Sequence, residues 1–327
     1  MKKILKVVTF IFLGIIIIAL SGLSYVKFAL PDVGKAPVLK VDITPSRLER
    51  GKYLANHVTI CMDCHSTRDW SLYSGPLDST KFGVGGEEFN QQLGFPGEYI
   101  SSNVTPYHLK DWSDGELYRA ITSGVSKDGH ALFPIMPYPN FAKMDTEDIY
   151  SLIAYIRSLP VNESNPKASK SDFPMNFIIN TIPAAATPQK IPSPDDQVAY
   201  GGYLVNAASC NDCHTKKVDG AEVEGMKFAG GFAFNMPNGT IVTSANITSD
   251  KTTGIGSWTK EQFLAVFKAY SDSTYKPRKI AGDEFQTIMP WTMYSGMKTT
   301  DLEAIYAYLR TVEPVSNAVR KFERKSN

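Results

Sequence analysis

The chain has 327 residues, of which 43% are hydrophobic and 20% are charged. It is long enough to bury a sizeable core, and its length predicts two domains. The 34 basic and 33 acidic residues leave a net charge of +1, which argues against the basic excess that proteins binding nucleic acid usually carry.

Residues 1–30 predict a membrane anchor. An uncharged run of twenty residues, Val7 to Val26, lies between a cluster of N-terminal lysines and Lys27. Twenty helical residues span roughly 30 Å, which matches the hydrocarbon core of a bilayer. A cleaved signal peptide is the alternative, with a weak cleavage site at Ala19-Leu20-Ser21. We expect an uncleaved anchor in the inner membrane, with the rest of the chain in the periplasm.

The remainder of the chain contains an internal repeat. GKYLANHVTICMDCHS, which begins at Gly51, resembles GGYLVNAASCNDCHT, which begins at Gly201. The glycines are 150 residues apart but the cysteines are 149 apart, so the first copy carries one extra residue between them. The block around Met136 recurs around Met289 at a third, constant offset of 153. Such offsets are typical of two copies of one domain whose loops differ in length.

The repeat predicts where the domains begin and end. The proline-rich run TIPAAATPQKIPSP indicates an extended, semi-rigid linker between them. The locally basic C-terminal end reads as a solvated tail. The predicted segments are the anchor 1–30, a linker 31–45, a first domain 46–162, a proline-rich linker 163–194, a second domain 195–316 and a basic tail 317–327.

Each copy is predicted to be mostly helical. A first helix ends at the cysteine motif, and a second begins after Ser113 or Thr259, which are suitable N-caps. The last helix has one apolar face, and in the second copy Thr300 and Glu303 have capping-box spacing. This last helix is predicted at about 146–159 and 300–312, with Ile149, Leu152, Ile153 and Ile156 on the buried face of the first.

Two short extended pieces complete the predicted elements. They lie around Tyr99-Ile100 and Ile241-Val242, and the second follows a turn signal at Asn238-Gly239. Neither is long enough to organise a fold. The predicted fold class is therefore all-α.

The two CxxCH motifs carry the chemistry. Cysteines at positions i and i+3 of a helical turn lie on one side, where two thioethers can reach the two vinyl groups of one porphyrin. Histidine at i+4 continues that side and can reach the iron. The residues concerned are Cys61, Cys64 and His65 in the first motif, and Cys210, Cys213 and His214 in the second.

Other CxxC chemistries fit less well. A closed zinc site joins two knuckles within one compact module, whereas these motifs are 149 residues apart and each is followed by histidine. A thioredoxin-like motif requires a βαβ context, which the chain lacks. A structural disulfide remains an alternative, although it would close so short a loop that it adds little stability. We predict two covalently attached haem c groups.

The second axial ligand decides whether such a haem transfers electrons or performs catalysis. Met136 and Met289 each precede a proline in matching blocks, 71 and 75 residues past their histidines, and are the predicted distal ligands. Met293 is the alternative in the second copy and His130 in the first. Met236 also precedes a proline but has no counterpart in the first copy.

These residues make each half resemble a class I cytochrome c domain. The shared features are a Gly-x-Tyr-Leu helix, CxxCH, a distal Met-Pro and a closing helix with AYIR or AYLR. Over about residues 46–316 the chain is also similar to the membrane-bound cytochrome c subunits of bacterial alcohol and gluconate dehydrogenases. The phrases NVTP…DWSDGELYRAI…FPIMPYPNF, SDFPMN and NITSDKTTGIGSWTKEQF carry that similarity.

The resemblance implies two tandem class I cytochrome c domains, with axial pairs His65–Met136 and His214–Met289. It further implies that the Pro76 carbonyl orients the first histidine, while the second has no equivalent proline. Those subunits commonly carry three haem domains, whereas this sequence contains two motifs.

The implied function is electron transfer without catalytic residues, from a partner dehydrogenase toward a quinone or a terminal oxidase. A haem enzyme, either a dihaem peroxidase or a sulfur-compound oxidase, is the alternative, and it would need an exchangeable axial position. The one hint of such specialisation is SDSTYKPRKIAGDEFQT, residues 271–287, which reads as a surface insertion.

Overall fold

A computed structural model describes residues 2–272 and 274–324; Met1, Ser273 and the last three residues of the predicted tail lie outside them. The helices are α1 Lys2–Phe28, α2 Pro45–Tyr53, α3 Cys61–Cys64, α4 Pro106–Leu109, α5 Asp114–Ser123, α6 Tyr138–Phe141, α7 Thr146–Arg157, α8 Met175–Ile178, α9 Gln197–Ala207, α10 Cys210–His214, α11 Lys260–Lys268, α12 Trp291–Tyr294 and α13 Thr299–Leu309. The strands are β1 Glu88–Phe89, β2 Gly97–Ile100, β3 Lys170–Ser171, β4 Lys217–Val218, β5 Ala221–Glu222, β6 Ala233–Asn235, β7 Thr240–Thr243 and β8 Phe322–Arg324.

Helix α1 covers nearly all of the predicted anchor. It is 27 residues long and, by length and composition, apolar enough to cross a membrane. None of its described residues is buried against the rest of the chain. An apolar helix with no protein cover is what a membrane-spanning segment or a signal sequence requires.

A π-helical turn absorbs the extra residue of the first repeat. It spans Leu54–Val58 and follows α2 directly. The corresponding helix of the second repeat, α9, is α-helical throughout. Because a π-turn accommodates one inserted residue without ending the helix, both repeats reach the cysteine motif in the same orientation.

The core of each repeat is a close crossing of its first and last helices. A Cβ atom on Gly51 of α2 would lie 1.9 Å from the carbonyl oxygen of Ser151 in α7. On Gly201 of α9 it would lie 1.9 Å from that of Ala304 in α13. Only glycine permits this approach. The predicted apolar face of α7 is buried here, together with Leu54, Val58, Leu204, Leu302 and Ile305.

The predicted N-caps of the second helix are confirmed. Ser113 caps α5 in a capping box with Glu116, and Thr259 caps α11 in a capping box with Gln262. Each pair satisfies two backbone N–H groups that the first turn of a helix leaves free.

The terminal helices end earlier than predicted, at Arg157 and Leu309. The capping box predicted from Thr300 and Glu303 is wrong, because α13 already begins at Thr299 and Lys298 is its N-cap residue. A spacing match therefore does not locate a cap when the chain enters the helix two residues earlier.

The fold is mostly helical, so the all-α prediction holds only in that coarser form. The described residues form three small antiparallel sheets, with strand orders β1-β2-β3, β4-β5 and β6-β7-β8. Both predicted extended pieces are strands, and β7 pairs with β6 across the predicted turn, where Gly239 has φ +79°. The expectation of a solvated tail is wrong for β8, which pairs with β7.

The two repeats contact each other through equivalent residues. The Tyr53 hydroxyl in the first repeat donates 2.6 Å to Asp301 in the second. The Tyr203 hydroxyl in the second donates 2.6 Å to Asp148 in the first. Each tyrosine oxygen also accepts a backbone N–H from just before the partner helix, α13 or α7. This exchange of equal contacts has the character of an isologous interface.

Candidate functional site

Each CxxCH motif forms its own short helix, α3 or α10. The residue before the first cysteine has left-handed backbone in both repeats, Ile60 with φ 45° and Ser209 with φ 55°. This conformation is strained for any residue with a Cβ, most of all for β-branched isoleucine. The first helix of each repeat ends just before the motif, as predicted, and a tight reversal separates the two.

The four cysteines, all within the described residues, are free thiols, so no disulfide joins either pair. Desolvation raises the pKa of the Cys61 thiol, and it raises that of Cys210 to about 12. Thiols with raised pKa are poor nucleophiles at neutral pH. The motifs therefore lack the lowered thiol pKa of redox CxxC sites.

The two histidines are held in the same way. Nδ1 of His65 donates a 2.7 Å hydrogen bond to the carbonyl of Ser102, and Nδ1 of His214 donates one of 2.7 Å to the carbonyl of Ala245. This bond fixes the ring orientation and leaves Nε2 as the lone-pair nitrogen. Both imidazoles are thus prepared to bind a metal through Nε2.

The acceptor expected from the resemblance is wrong. The Pro76 carbonyl accepts instead from the backbone N–H of Asp69, at 2.9 Å. The acceptors lie in the phrases SSNVTP and SANITS, directly before the repeated asparagine. That repeated phrase was the sequence signal for both acceptors, including the second, for which no proline was available.

Two asparagines fix the loops that carry these acceptors. The side-chain oxygen of Asn103 accepts the backbone N–H of Thr105 at 2.8 Å, and that of Asn246 accepts the N–H of Thr248 at 2.9 Å. Each also donates through Nδ2 to a carbonyl in the segment after the terminal helix, at 2.9 and 2.7 Å. Because both asparagines are buried and bonded on both sides, the acceptor carbonyls are rigidly placed.

A second hydrogen bond, from the N–H of one glycine, holds each motif. The N–H groups of Gly85 and Gly230 donate to the carbonyls of His65 and His214, at 2.9 and 2.7 Å. Both glycines have positive φ, 71° and 70°, and a Cβ on either would lie 2.4–2.5 Å from the backbone of the acceptor loop. Their roles were missed from the sequence, although the paired glycines 85–86 and 230–231 were a usable signal.

The predicted distal ligands occupy equivalent positions. Met136 and Met289 are partly buried, pack against the core, and lie just before the short helices α6 and α12. The carbonyl of Met136 accepts the N–H of Tyr138 at 2.7 Å, and that of Met289 accepts the N–H of Trp291 at 2.9 Å. Both methionines therefore lie in the same kind of turn, and their assignment as ligands stays a prediction.

The alternative ligands are placed differently. Met293 is buried within α12, where its carbonyl accepts from Nδ1 of His57 at 2.9 Å. Met236 is buried in the turn after β6. His130 is 64% exposed, and its Nδ1 bonds to Asp128 at 2.6 Å.

The residues present fit a covalently bound haem. Each motif offers two free thiols and an imidazole with a free Nε2. The Tyr138 hydroxyl, two residues past Met136, is buried and has no partner among the described residues. Buried hydroxyl groups are normally hydrogen-bonded, and a polar edge of a bound haem would supply an acceptor for this one. Across residues 2–272 and 274–324, no cluster of three or more His, Cys, Asp or Glu is placed to hold an ion.

Tyr294 is buried beside the second motif. Its hydroxyl donates 2.8 Å to the carbonyl of Ala208, two residues before Cys210. Burial raises the pKa of this hydroxyl well above its usual range. The bond ties α12, which follows Met289, to the turn that leads into the second motif.

Residues 271–287 are more than a surface insertion, although Ser273 within them lies outside the described residues. The N–H of Ile280 donates to the carbonyl of Ser71 at 2.8 Å, and the N–H of Tyr73 donates to the carbonyl of Arg278 at 2.8 Å. The segment therefore pairs with a loop of the first repeat.

Comparison with known proteins shows which family the chain resembles. Residues 198–313 match the cytochrome c family. The chain is 28% identical over 243 residues to the cytochrome c subunit of the quinone alcohol dehydrogenase of Gluconobacter oxydans, covering 70% of this chain and 48% of that one. It is 36% identical over 290 residues to the fructose dehydrogenase cytochrome subunit of Gluconobacter japonicus, covering 81% and 52%. It is 26% identical over 269 residues to a dihaem cytochrome c-type protein of Cereibacter sphaeroides, covering 78% and 82%.

The chain spans about half the length of the dehydrogenase subunits that it matches. The expected resemblance is confirmed at a coarser level than predicted. The chain contains a cytochrome c domain in its second repeat and is homologous to the cytochrome c subunits of alcohol and gluconate dehydrogenases.

Proposed function

We propose that this chain is a membrane-anchored, periplasmic dihaem cytochrome c that carries electrons from a dehydrogenase toward a quinone or a terminal oxidase. Its two haem domains would be residues 46–162 and 195–316, joined by the linker 163–194. The observation that carries the proposal is the matched pair of imidazoles, each donating 2.7 Å through Nδ1 to a backbone carbonyl. A repeated attachment motif with a repeated ring orientation is best explained by a repeated cofactor.

The ligand set follows from the motifs. Bound haem would supply one-electron redox chemistry at its iron, and a methionine ligand would raise its reduction potential. The thioether positions would be Cys61, Cys64, Cys210 and Cys213, and the axial pairs His65 with Met136 and His214 with Met289.

The mass of the mature chain tests the number of haems. We expect the mass of the polypeptide plus two haem groups. The double variants Cys61→Ser/Cys64→Ser and Cys210→Ser/Cys213→Ser should each lose one group and keep the other. A wild-type chain that carries one haem or none would overturn the proposal.

The absorption band of methionine–iron ligation tests the distal ligands. Leucine has nearly the volume of methionine but no sulfur, so Met136→Leu and Met289→Leu should each remove about half of that band. Met293→Leu and Met236→Leu are matched controls that should leave it unchanged. Loss of the band in Met293→Leu rather than Met289→Leu would transfer the assignment to Met293.

Contacts across the repeat interface support electron exchange within the chain. Nδ2 of Asn206, four residues before the second motif, donates 2.9 Å to the carbonyl of Asn140 in the first repeat. Asn140, four residues past Met136, donates 2.6 Å to Asp212 inside the second motif. These contacts join the predicted first distal loop to the second attachment site, so electrons would have a short path between the two haems.

The dehydrogenase partner is inferred from the homologues, which are cytochrome c subunits of dehydrogenases. Purification of the full chain from its native membrane should bring a dehydrogenase with it. A chain lacking residues 1–30 should release that enzyme into the soluble fraction if α1 is the anchor. Recovery of the full chain without a dehydrogenase would contradict the proposed partner. Recovery of the truncated chain in the membrane would contradict the role of α1 as the anchor.

A further inference from the structure

The linker carries an exposed apolar segment. Residues 173–189 contain no charged side chain. Within them, Phe173 is 80% exposed and Ile178 is 45% exposed. Phe173 lies two residues before α8, and Ile178 is the last residue of α8; the short 3-10 helix Ile179–Thr181 follows directly. Neighbouring apolar side chains left open to solvent mark an interaction surface more often than isolated ones do.

This segment lies against the C-terminal end of α1. The side-chain amide of Asn180 donates 3.2 Å to the carbonyl of Val26. The ammonium group of Lys27 lies 5.8 Å from the ring centroid of Phe177. Lys27 also ends the uncharged run of α1, so these contacts occur at the level where the helix would leave the hydrocarbon layer.

We propose that residues 173–182 insert into the headgroup–acyl boundary of the bilayer and form a second membrane contact beside α1. The proposal rests on α1 being the anchor of the proposed function. At the headgroup–acyl boundary the apolar side chains of this segment are removed from water, and the ammonium group of Lys27 reaches the lipid headgroups. Because the segment has no charge of its own, its insertion should not require anionic lipid.

A second contact would fix the orientation of the first repeat. Strand β3, directly before the segment, pairs with β2 of that repeat, Glu98 with Lys170 and Gly97 with Ser171. Only one residue, Asp172, separates β3 from Phe173. The first repeat would therefore be held at a short, fixed height above the bilayer rather than on a free tether.

The experiment uses the full haem-loaded chain in phosphatidylcholine vesicles. Phe173→Cys introduces one free thiol, and Val161→Cys, at a position 66% exposed on the first repeat, is the matched control. The readout is the rate of alkylation by a water-soluble maleimide, relative to the rate in denaturant. We expect the thiol at position 173 to react at least about tenfold more slowly than the control. Ile178→Cys gives a second reading if the first substitution perturbs insertion.

Equal rates at positions 173, 178 and 161 would overturn the proposal, as would protection that requires an added protein. Ile11→Cys in α1 separates this failure from failure of the anchor. Protection at position 11 with free reaction at 173 and 178 would reject only the second contact. Free reaction at position 11 would reject the anchor itself.

Discussion

The hydroxyl of Ser74 in the first repeat donates a 2.6 Å hydrogen bond to the backbone carbonyl of Met289 in the second. The same oxygen accepts the N–H of Trp291 at 3.1 Å, and the N–H of Ser74 donates 2.8 Å to the side chain of Gln286. Ser74 is fully buried. The loop that carries the predicted second distal ligand is therefore held by the other repeat.

Arg68 ties this serine to the first motif. Its guanidinium forms a 2.9 Å ion pair with Asp63, inside the first CxxCH, and donates 3.0 Å to the carbonyl of Ser74. Both partners of the ion pair are about 95% buried. A continuous set of hydrogen bonds thus runs from the first attachment motif to the turn of Met289, and such buried networks hold their members rigidly.

Replacement of Ser74 by alanine should weaken methionine ligation in the second haem only. The substitution removes both hydroxyl hydrogen bonds and leaves the Met289 turn less constrained. We expect loss of up to about half of the methionine–iron band, with the first haem unaffected.

Ser71→Ala is the control for this prediction, because the Ser71 hydroxyl donates 2.6 Å to Asp69 on the exposed side of the same loop. An unchanged band in Ser74→Ala would show that the loop holds its shape without the serine.

The two tyrosines of the repeat interface should differ in their contribution to stability. Tyr53→Phe leaves Asp301 buried without its shortest hydrogen bond, and should lower the free energy of unfolding by about 2 kcal/mol. Tyr203→Phe should cost less, about 1 kcal/mol, because Asp148 keeps two 2.8 Å hydrogen bonds from Arg50. Urea unfolding of both variants and of the double variant measures this, and the reverse order would contradict it.

Addition of one methyl group where α9 crosses α13 should strongly destabilise the fold. In Gly201→Ala the new Cβ would meet the backbone of α13 at 1.9 Å, and backbone cannot move aside as a side chain can. We expect a loss of about 2–4 kcal/mol in unfolding free energy.

Gly202→Ala is the neighbouring control for that loss, since its Cβ would meet only the ring of Tyr308 at 3.0 Å. Similar losses in the two variants would mean that helix propensity, not the crossing, sets the effect.

The capping box of α5 should make the first repeat sensitive to acid. The backbone N–H of Ser113 donates 2.7 Å to the Glu116 carboxylate and lowers the pKa of that carboxyl. A carboxyl whose pKa is lower in the folded protein stabilises it above the unfolded pKa, and that contribution is lost as the pH falls through the folded pKa.

Glu116→Gln should therefore flatten the pH dependence of unfolding, since an amide caps without titrating. The second repeat already uses Gln262 at the equivalent position. We expect a difference from wild type of about 0.5 kcal/mol at neutral pH, which disappears in acid. A difference that persists below the folded pKa would show that the carboxylate charge is not responsible.

The local elements of this fold could be predicted from the sequence, and the contacts between distant segments could not. Ser113 and Thr259 were recognisable as N-caps because a cap is set by residues three positions apart. The histidine acceptor could not be identified in this way, since Ser102 lies 37 residues beyond His65. The partner of Tyr53 lies 248 residues away, in the other repeat.

The two motifs illustrate the same limit. Their cysteine and histidine spacing is a property of one helical turn, so the candidate attachment residues follow from sequence alone. The left-handed residue before each motif does not, because neither isoleucine nor serine favours that conformation.

The π-turn at Leu54–Val58 explains why the offset between the repeats changes in the middle of a helix. Within this turn, His57 occupies the place of Asn206, and each donates 2.9 Å to the carbonyl of an equivalent residue in the other repeat, Met293 or Asn140. A duplicated gene can thus gain a codon inside a helix while the bulge confines the change to one turn. The two repeats can therefore differ in length while the hydrogen bonds between them are kept.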